Sequence, residues 1–379
     1  MVNRSLALLG ATGSIGTSAL DVATEQGISI SLASAHQDYA KLLAIAAKHK
    51  ISCLVFTGIN EPILQQKLRQ DHPKLRIYYG ETELLNALMA EDYDIALNGI
   101  SGSAGLRSTF AILQRGKPLA LANKESLVMA GHLIAKQKGQ HPILPVDSEH
   151  SAIFQAIGAH PIHEIRSLHL TASGGAFRNL PLEEFQHITP RQALTHPNWQ
   201  MGAKVTLDSA TMFNKALEVI EAHWLFGLPY NQIKAIIHPQ SIIHSLVEFI
   251  DGSFLAQLSV PDMKLPILYA LAWPNRVNSQ LVQTDLSKLS ELTFREIEPN
   301  RYPLFFLGLE AAQAGGIYPT VMNAALEAAS QLFTTGLITY LQIPELIKTA
   351  LDRQAPIPNP DLDTIIRINT ETYARVSQS

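Results

Sequence analysis

Three glycines spaced three apart, Gly10-Ala-Thr-Gly13-Ser-Ile-Gly16, stand between a short apolar run, Ser5 to Leu9, and a helical pattern from Thr17 to Gln26. A buried strand that turns this tightly into a helix leaves few folds open. Glycine lets a phosphate approach the backbone, and the turn offers free N–H groups at a helix amino terminus. The spacing is not the commonest one for this purpose, and tight strand–helix turns also use glycine for steric reasons alone. Its place after the first strand of an alternating pattern favours the nucleotide reading.

That alternation runs through the first part of the chain. Ile28 to Ala33 reads as a strand, Tyr39 to Lys48 as a helix, and Cys53 to Phe56 as a strand. Asp94 to Leu97 and Pro118 to Ala122 read as further buried strands. The pattern predicts a Rossmann-like α/β domain with a parallel sheet over residues 1–146. From 147 to 275 strands such as Leu168 to Thr171 and Ser253 to Leu258 mix with helices, as in a central α+β domain. Residues 276–298 read as an extended linker, and 299–379 as a C-terminal helical bundle.

Composition narrows the class. With 46% apolar and 16% charged residues among 379, the chain has ample material for a core and two or three domains. The balance of 29 basic and 33 acidic residues gives −4, with no long run of one sign, which disfavours duplex nucleic acid as partner. The single cysteine, Cys53, excludes an intrachain disulfide and a thiolate-rich metal site within one chain. No apolar stretch is long enough to span a membrane, so a cytoplasmic enzyme is expected.

Several polar clusters carry candidate chemistry. The second strand ends Ala35-His36-Gln37 without the acid that usually binds the ribose hydroxyls of NAD. This favours NADP, with His36 against the 2′-phosphate, although Asp38 lies close by and His36 also reads as an exposed loop residue. Asp147 and Glu149 are two apart where a strand ends; in extended backbone both point to one side and suit a hard divalent cation. Helix capping by Asp147 and Ser148 explains the same segment. Further on, a helix from Ala210 would place Asn214 and Glu218 on one face with Lys215 beside them, either a phosphate pocket or an ordinary surface pair. Ser173-Gly-Gly175 is a small-residue turn able to face an anion. The loop from Thr195 to Gly202 carries Trp199 and Met201, which read either as packing or as a lid. Asn123-Lys-Glu-Ser126 ends a strand, where α/β folds hold their ligands.

Taken together and in order, these motifs resemble the 1-deoxy-D-xylulose 5-phosphate reductoisomerase family over nearly the whole chain. The resemblance also rests on Asn98-Gly-Ile-Ser-Gly102, His196-Pro-Asn-Trp-Gln-Met-Gly202, Asp208-Ser-Ala-Thr-Met212, Ile237-His-Pro-Gln-Ser241 and Ala272-Trp-Pro-Asn-Arg276. It implies a homodimeric enzyme that uses NADPH and Mg2+ or Mn2+ to rearrange and reduce a ketose phosphate to 2-C-methyl-D-erythritol 4-phosphate, an isoprenoid precursor. By the same resemblance Asp147, Glu149 and Glu218 are the metal ligands. Lys124, Ser148, Glu149, Ser173, His196, Ser209, Asn214, Lys215 and Glu218 meet the substrate, with Lys124 and Glu149 catalytic. Thr12, Gly13, Ser14, Ile15, Asn123, Glu125 and Gly202 meet the cofactor, as do Ala35, His36 and Gln37, where the chain departs from the family's usual Gly, basic or polar residue, and Asn. A metal-only sugar-phosphate isomerase and a non-catalytic NADP sensor are the rival readings.

Overall fold

The computed structural model describes residues 2, 4–137, 141–195, 199, 202–289 and 291–378. The chain begins β1 (Ser5–Leu9), α1 (Ser14–Gln26), β2 (Ser29–Ala35), α2 (Tyr39–His49), β3 (Cys53–Phe56), α3 (Pro62–Asp71), β4 (Arg76–Tyr79) and α4 (Glu81–Ala90). It continues β5 (Ile95–Asn98), α5 (Leu106–Gln114), β6 (Leu119–Leu121), α6 (Lys124–Ile134), β7 (Ile143–Pro145), α7 (Ser148–Ile157), β8 (Ile165–Ala172), α8 (Pro190–Ala193) and α9 (Ala203–Ala210). There follow α10 (Phe213–Phe226), β9 (Ile233–Ile237), β10 (Ile243–Phe249), β11 (Phe254–Leu258) and α11 (Lys264–Ala272). The last helices are α12 (Pro303–Ala314), α13 (Tyr318–Thr334), α14 (Gln342–Asp352) and α15 (Leu362–Val376).

These elements form two compact units. The first comprises 1–123, 136–151 and 262–283; the second comprises 124–135, 152–261 and 284–379. The segment that carries α11 packs into the first unit. Arg4 donates to Leu271 O at 3.1 Å, Lys264 Nζ lies 3.2 Å from Asp21 Oδ2, and Ser279 Oγ donates to Glu25 Oε2 at 2.7 Å.

In the first unit all seven strands run parallel in the order β4-β3-β2-β1-β5-β6-β7. Strands covered on both faces must be apolar throughout, and Leu6, Ala7, Leu8 and Leu9 are all fully buried. The strand order reverses at β1, between β2 and β5, so the ends of β1 and β5 flank the crevice where such sheets bind ligands.

The second unit holds a mixed sheet of order β11-β10-β8-β9, with β8 parallel to β9 and the other pairs antiparallel. Its core sets Leu168, Leu170, Ile233 and Val247 of the sheet against Met212 and against Ala216, Val219 and Ala222, a helical stripe along α10. Helix α12 packs against the same stripe of α10. A Cβ on Gly308 would meet Ala216 Cβ at 2.5 Å, so only glycine permits this crossing. The helices expected over 299–379 are found as α12 to α15, and they share one compact unit with the mixed sheet.

Candidate active site

The glycine turn is built for close approach. Gly10 has φ +77°, and a Cβ there would meet Gly99 O at 2.7 Å; one on Gly16 would meet Gly10 O at 2.4 Å. The turn is stitched to the second strand by Ala11 N donating to Ser34 O at 2.8 Å. Helix α1 begins at Ser14, three residues earlier than the sequence pattern predicts. Ser14 and Ile15 therefore lie in its first turn, Gly13 is its cap with no side-chain bond, and no acid stands in that turn. Uncapped N–H groups, a helix dipole and no competing carboxylate fit the pyrophosphate of a dinucleotide.

Beside it, the Asn98-Gly-Ile-Ser-Gly102 segment after β5 is braced by buried amides. Asn98 Nδ2 donates to Gly105 O and to Thr109 Oγ1, both at 2.9 Å. Asn123 Nδ2 donates to Ile100 O at 2.6 Å and Gly102 O at 2.8 Å. Asn123 thus shapes the loop that borders the crevice. At the end of β2, Ala35 is buried while His36 and Gln37 are exposed. His36 Nδ1 is 3.2 Å from Thr57 Oγ1, its ring seated over Gly58, and Gln37 Nε2 donates to Gly58 O at 3.1 Å.

The acid pair lies at the end of β7. The extended geometry expected for it is not found: Asp147 immediately precedes α7, and Glu149 stands in that helix's first turn. A helix start at Ser148 forces the change, with Ser151 N donating to Asp147 O at 2.8 Å. Ser148 Oγ donates to Glu149 Oε2, and Asp147 Oδ2 is 4.0 Å from Nδ1 of the fully buried His150. Both carboxylates are partly accessible, and hard oxygen donors of this kind fit a divalent cation such as magnesium or manganese.

In the second unit four predicted residues converge. Lys124 Nζ donates to Asn214 Oδ1 at 2.9 Å and to Glu218 Oε1 at 3.1 Å. Asn214 Nδ2 and Lys215 Nζ also donate to the Glu218 carboxylate. Glu218 is 0% exposed and Lys215 3%, which excludes the surface-pair alternative. The helix does not run on from Ala210 as predicted. Met212 takes φ +58° and breaks it into α9 and α10, so Asn214 and Lys215 fall in the first turn of α10, whose first N–H, of Phe213, donates to Thr211 Oγ1 at 3.3 Å. Ammonium and amide donors gathered in this way suit a phosphate.

The Ser173 turn packs close to the end of α9. Gly174 and Gly175 have positive φ, and a Cβ on Gly175 would meet Ser209 O at 2.5 Å. Gly175 N donates to Ser173 Oγ at 3.1 Å, and buried Tyr302 donates to Gly174 O at 2.8 Å. Trp199 is half-buried, its ring 6.0 Å from that of buried His244 in a T-shaped contact. Gly202 is exposed and begins α9; His196 and Met201 lie outside the described residues.

Two features were not legible beforehand. Lys204, on α9, pairs with Glu125 Oε1 at 3.2 Å and with Asp208 Oδ2 at 2.8 Å. Burial pushes the Glu125 carboxyl up, but the Lys204 ammonium, a backbone hydrogen bond and the Lys124 ammonium together bring it below the usual carboxylate range. For Asp208 burial prevails over the same ammonium, and its carboxyl sits above the usual range. The Glu125 side chain is thus held by Lys204. His238 of the Ile237–Ser241 motif is also structural: its Nε2 accepts from Ile242 N and Ile243 N at 3.2 Å, and its Nδ1 lies 2.9 Å from Thr293 O.

Comparison with known proteins agrees along the whole chain. Residues 6–131 match the family model for 1-deoxy-D-xylulose 5-phosphate reductoisomerase, and 143–226 the model for that enzyme's C-terminal domain. A second C-terminal domain model of DXP reductoisomerase matches 258–375. The chain is 43% identical to the 1-deoxy-D-xylulose 5-phosphate reductoisomerase of Chlorobium chlorochromatii over 97% of each chain. It is 44% identical to that of Geobacillus kaustophilus over 98% of each. A crystal structure of DOX-P reductoisomerase in complex with NADPH, fosmidomycin and magnesium superposes with a TM-score of 0.93 at 37% identity, covering 99% of this chain and 98% of that one. The Zymomonas mobilis enzyme in complex with NADPH gives a TM-score of 0.91 at 37% identity with the same coverage.

Proposed function

Since the chain belongs to the 1-deoxy-D-xylulose 5-phosphate reductoisomerase family, we propose that it converts that ketose phosphate to 2-C-methyl-D-erythritol 4-phosphate, using NADPH and a divalent cation, for isoprenoid precursor synthesis. The observation that carries this reading is the buried convergence of Lys124, Asn214 and Lys215 on Glu218. A sugar-phosphate enzyme needs such a cluster, whereas a nucleotide sensor has no use for it.

Residues 1–146 bind NADPH through Thr12, Gly13, Ser14 and Ile15, with Ala35, His36 and Gln37 at the adenosine end and Asn123 and Glu125 as further contacts; Gly202, beyond that segment, is another. Residues 147–275 carry the chemistry, joined through 276–298 to the helices of 299–379. Asp147, Glu149 and Glu218 hold magnesium or manganese. When bound, the cation polarises the substrate's ketone and hydroxyl oxygens, and NADPH supplies hydride after the carbon skeleton has rearranged. Ser173, Ser209, Asn214 and Lys215 bind the phosphate, and His196 is a further substrate contact. Ser148 hydrogen-bonds the sugar. Lys124 holds a proton at Nζ against oxygen charge as it develops, and Glu149 moves a proton at its carboxylate. Trp199 and Met201 close over the substrate and exclude water.

The chain acts as a homodimer in the cytoplasm. The first part is supported by edge strand β11, which exposes Phe254, Leu255 and Leu258. The second is supported by the lone buried Cys53 and by the finding that, among the described residues, no helix is long and apolar enough to cross a membrane.

The test is an assay that follows NADPH absorbance on addition of 1-deoxy-D-xylulose 5-phosphate, with and without a chelator. Stoichiometric oxidation that stops on chelation is the expected result. Product formed without NADPH consumption would establish the metal-only isomerase instead.

A further inference from the structure

We propose that Lys41 recognises the 2′-phosphate of NADPH in this chain. The inference rests on the cofactor reading above and concerns which residue supplies the cation that the end of β2 lacks.

In a sheet of this order the adenosine ribose lies between the turn after β1 and the end of β2. His36 and Gln37, the first polar side chains past β2, both bond the segment after β3, at Thr57 and Gly58. Lys41 takes the other direction. From the first turn of α2 its Nζ reaches the glycine turn itself and donates to Thr12 O at 2.7 Å. It is exposed, so its flexible stem can exchange a carbonyl for a better acceptor. A phosphate monoester is such an acceptor, because both partners are charged.

The neighbouring acid fits the same discrimination. Asp38 Oδ1 accepts from Lys41 N at 3.0 Å and caps α2. That bond commits the carboxylate to the helix rather than to a ribose diol, which is the contact NAD requires. One residue thus offers its backbone to restrain the acid and its side chain to meet the phosphate.

The experiment measures binding by calorimetry with two fragments, 2′,5′-ADP and 5′-ADP, alongside NADPH and NADH. In Lys41→Met, affinity for 2′,5′-ADP and NADPH should fall about tenfold, as expected for one charged hydrogen bond. Binding of 5′-ADP and NADH should be unchanged, and Lys41→Arg should restore most of the loss. Equal weakening of both fragments would overturn the proposal, since Lys41 would then merely hold the turn. So would a selective loss in His36→Ala with none in Lys41→Met. If the unaltered chain bound neither NADPH nor 2′,5′-ADP, the cofactor reading itself would fail.

Discussion

Lys124 Nζ lies 3.1 Å from Glu218 Oε1, although 94 residues separate the two. The ammonium that follows β6 is thereby fixed to the carboxylate one turn along α10 from Asn214. Glu218→Gln keeps the shape and removes the charge. Turnover should fall by about 100-fold or more at limiting magnesium, while NADPH affinity stays within about twofold. Asn214→Ala should instead raise the KM for the ketose phosphate more than it lowers kcat. Normal turnover of Glu218→Gln at limiting magnesium, measured by steady-state kinetics, would remove it from the metal site.

Trp199 meets the His244 ring in a T-shaped contact but is only half-buried. Trp199→Ala should therefore cost about 1 kcal/mol of stability, the scale of one aromatic pair, and not the ~3–5 kcal/mol of a core tryptophan. The larger effect should be weaker substrate binding. Thermal denaturation and substrate titration on the same variant separate packing from lid.

Lys204 is the shared partner of Glu125 and Asp208. Lys204→Met strands two enclosed carboxylates and should destabilise the chain by about 3 kcal/mol. Changing all three residues to Met, Gln and Asn should recover most of that loss in urea denaturation. If the single substitution were harmless, the trio would be no more than a loose surface arrangement.

Ser5 N and Ser5 Oγ both donate to Asp94 Oδ2, at 2.7 and 2.9 Å, tying the start of β1 to the residue before β5. Chiefly through the backbone bond from Ser5, the Asp94 carboxyl is held below its ordinary range. A carboxyl lowered in the fold contributes stability above its unfolded value of about 3.9 and loses it as pH falls through the folded value. The Tm of Asp94→Asn should lie below that of the unaltered protein at pH 7. The two should converge in acid, and a gap independent of pH would show that the charge is irrelevant.

The regular elements with strong periodicity were readable in the sequence. Cys53–Phe56 is found where the pattern places it, as an apolar run, and the bundle expected over 299–379 includes Leu362–Val376, with buried Ile365, Ile368, Thr372 and Val376 on one helical stripe. Edge strand β4 was not, because Arg76-Ile-Tyr-Tyr79 alternates too briefly and is only partly buried. The motifs named the residues of the Lys124–Glu218 cluster but not their setting. Nothing in Thr211-Met-Phe213 announces a methionine at φ +58°, since that conformation is imposed by packing. Lys41 and Lys204 escaped for a similar reason: a lysine on a helix reads as a solvated charge until the fold supplies its partner.

Gly308 has no side chain to contribute, yet it governs how α10 is seated. A methyl group there would stand 2.5 Å from Ala216 Cβ, and Ala216 lies between Lys215 and Glu218 on the helix it would press against. Because Ala216 Cβ is anchored directly to the backbone, the strain could not be absorbed by a rotamer. It would have to be taken up by moving the helix. The accuracy with which Asn214, Lys215 and Glu218 are aimed is therefore guarded from behind, at a position in α12 that touches no ligand and offers no reactive group. Inspection of the reactive face alone would pass it over.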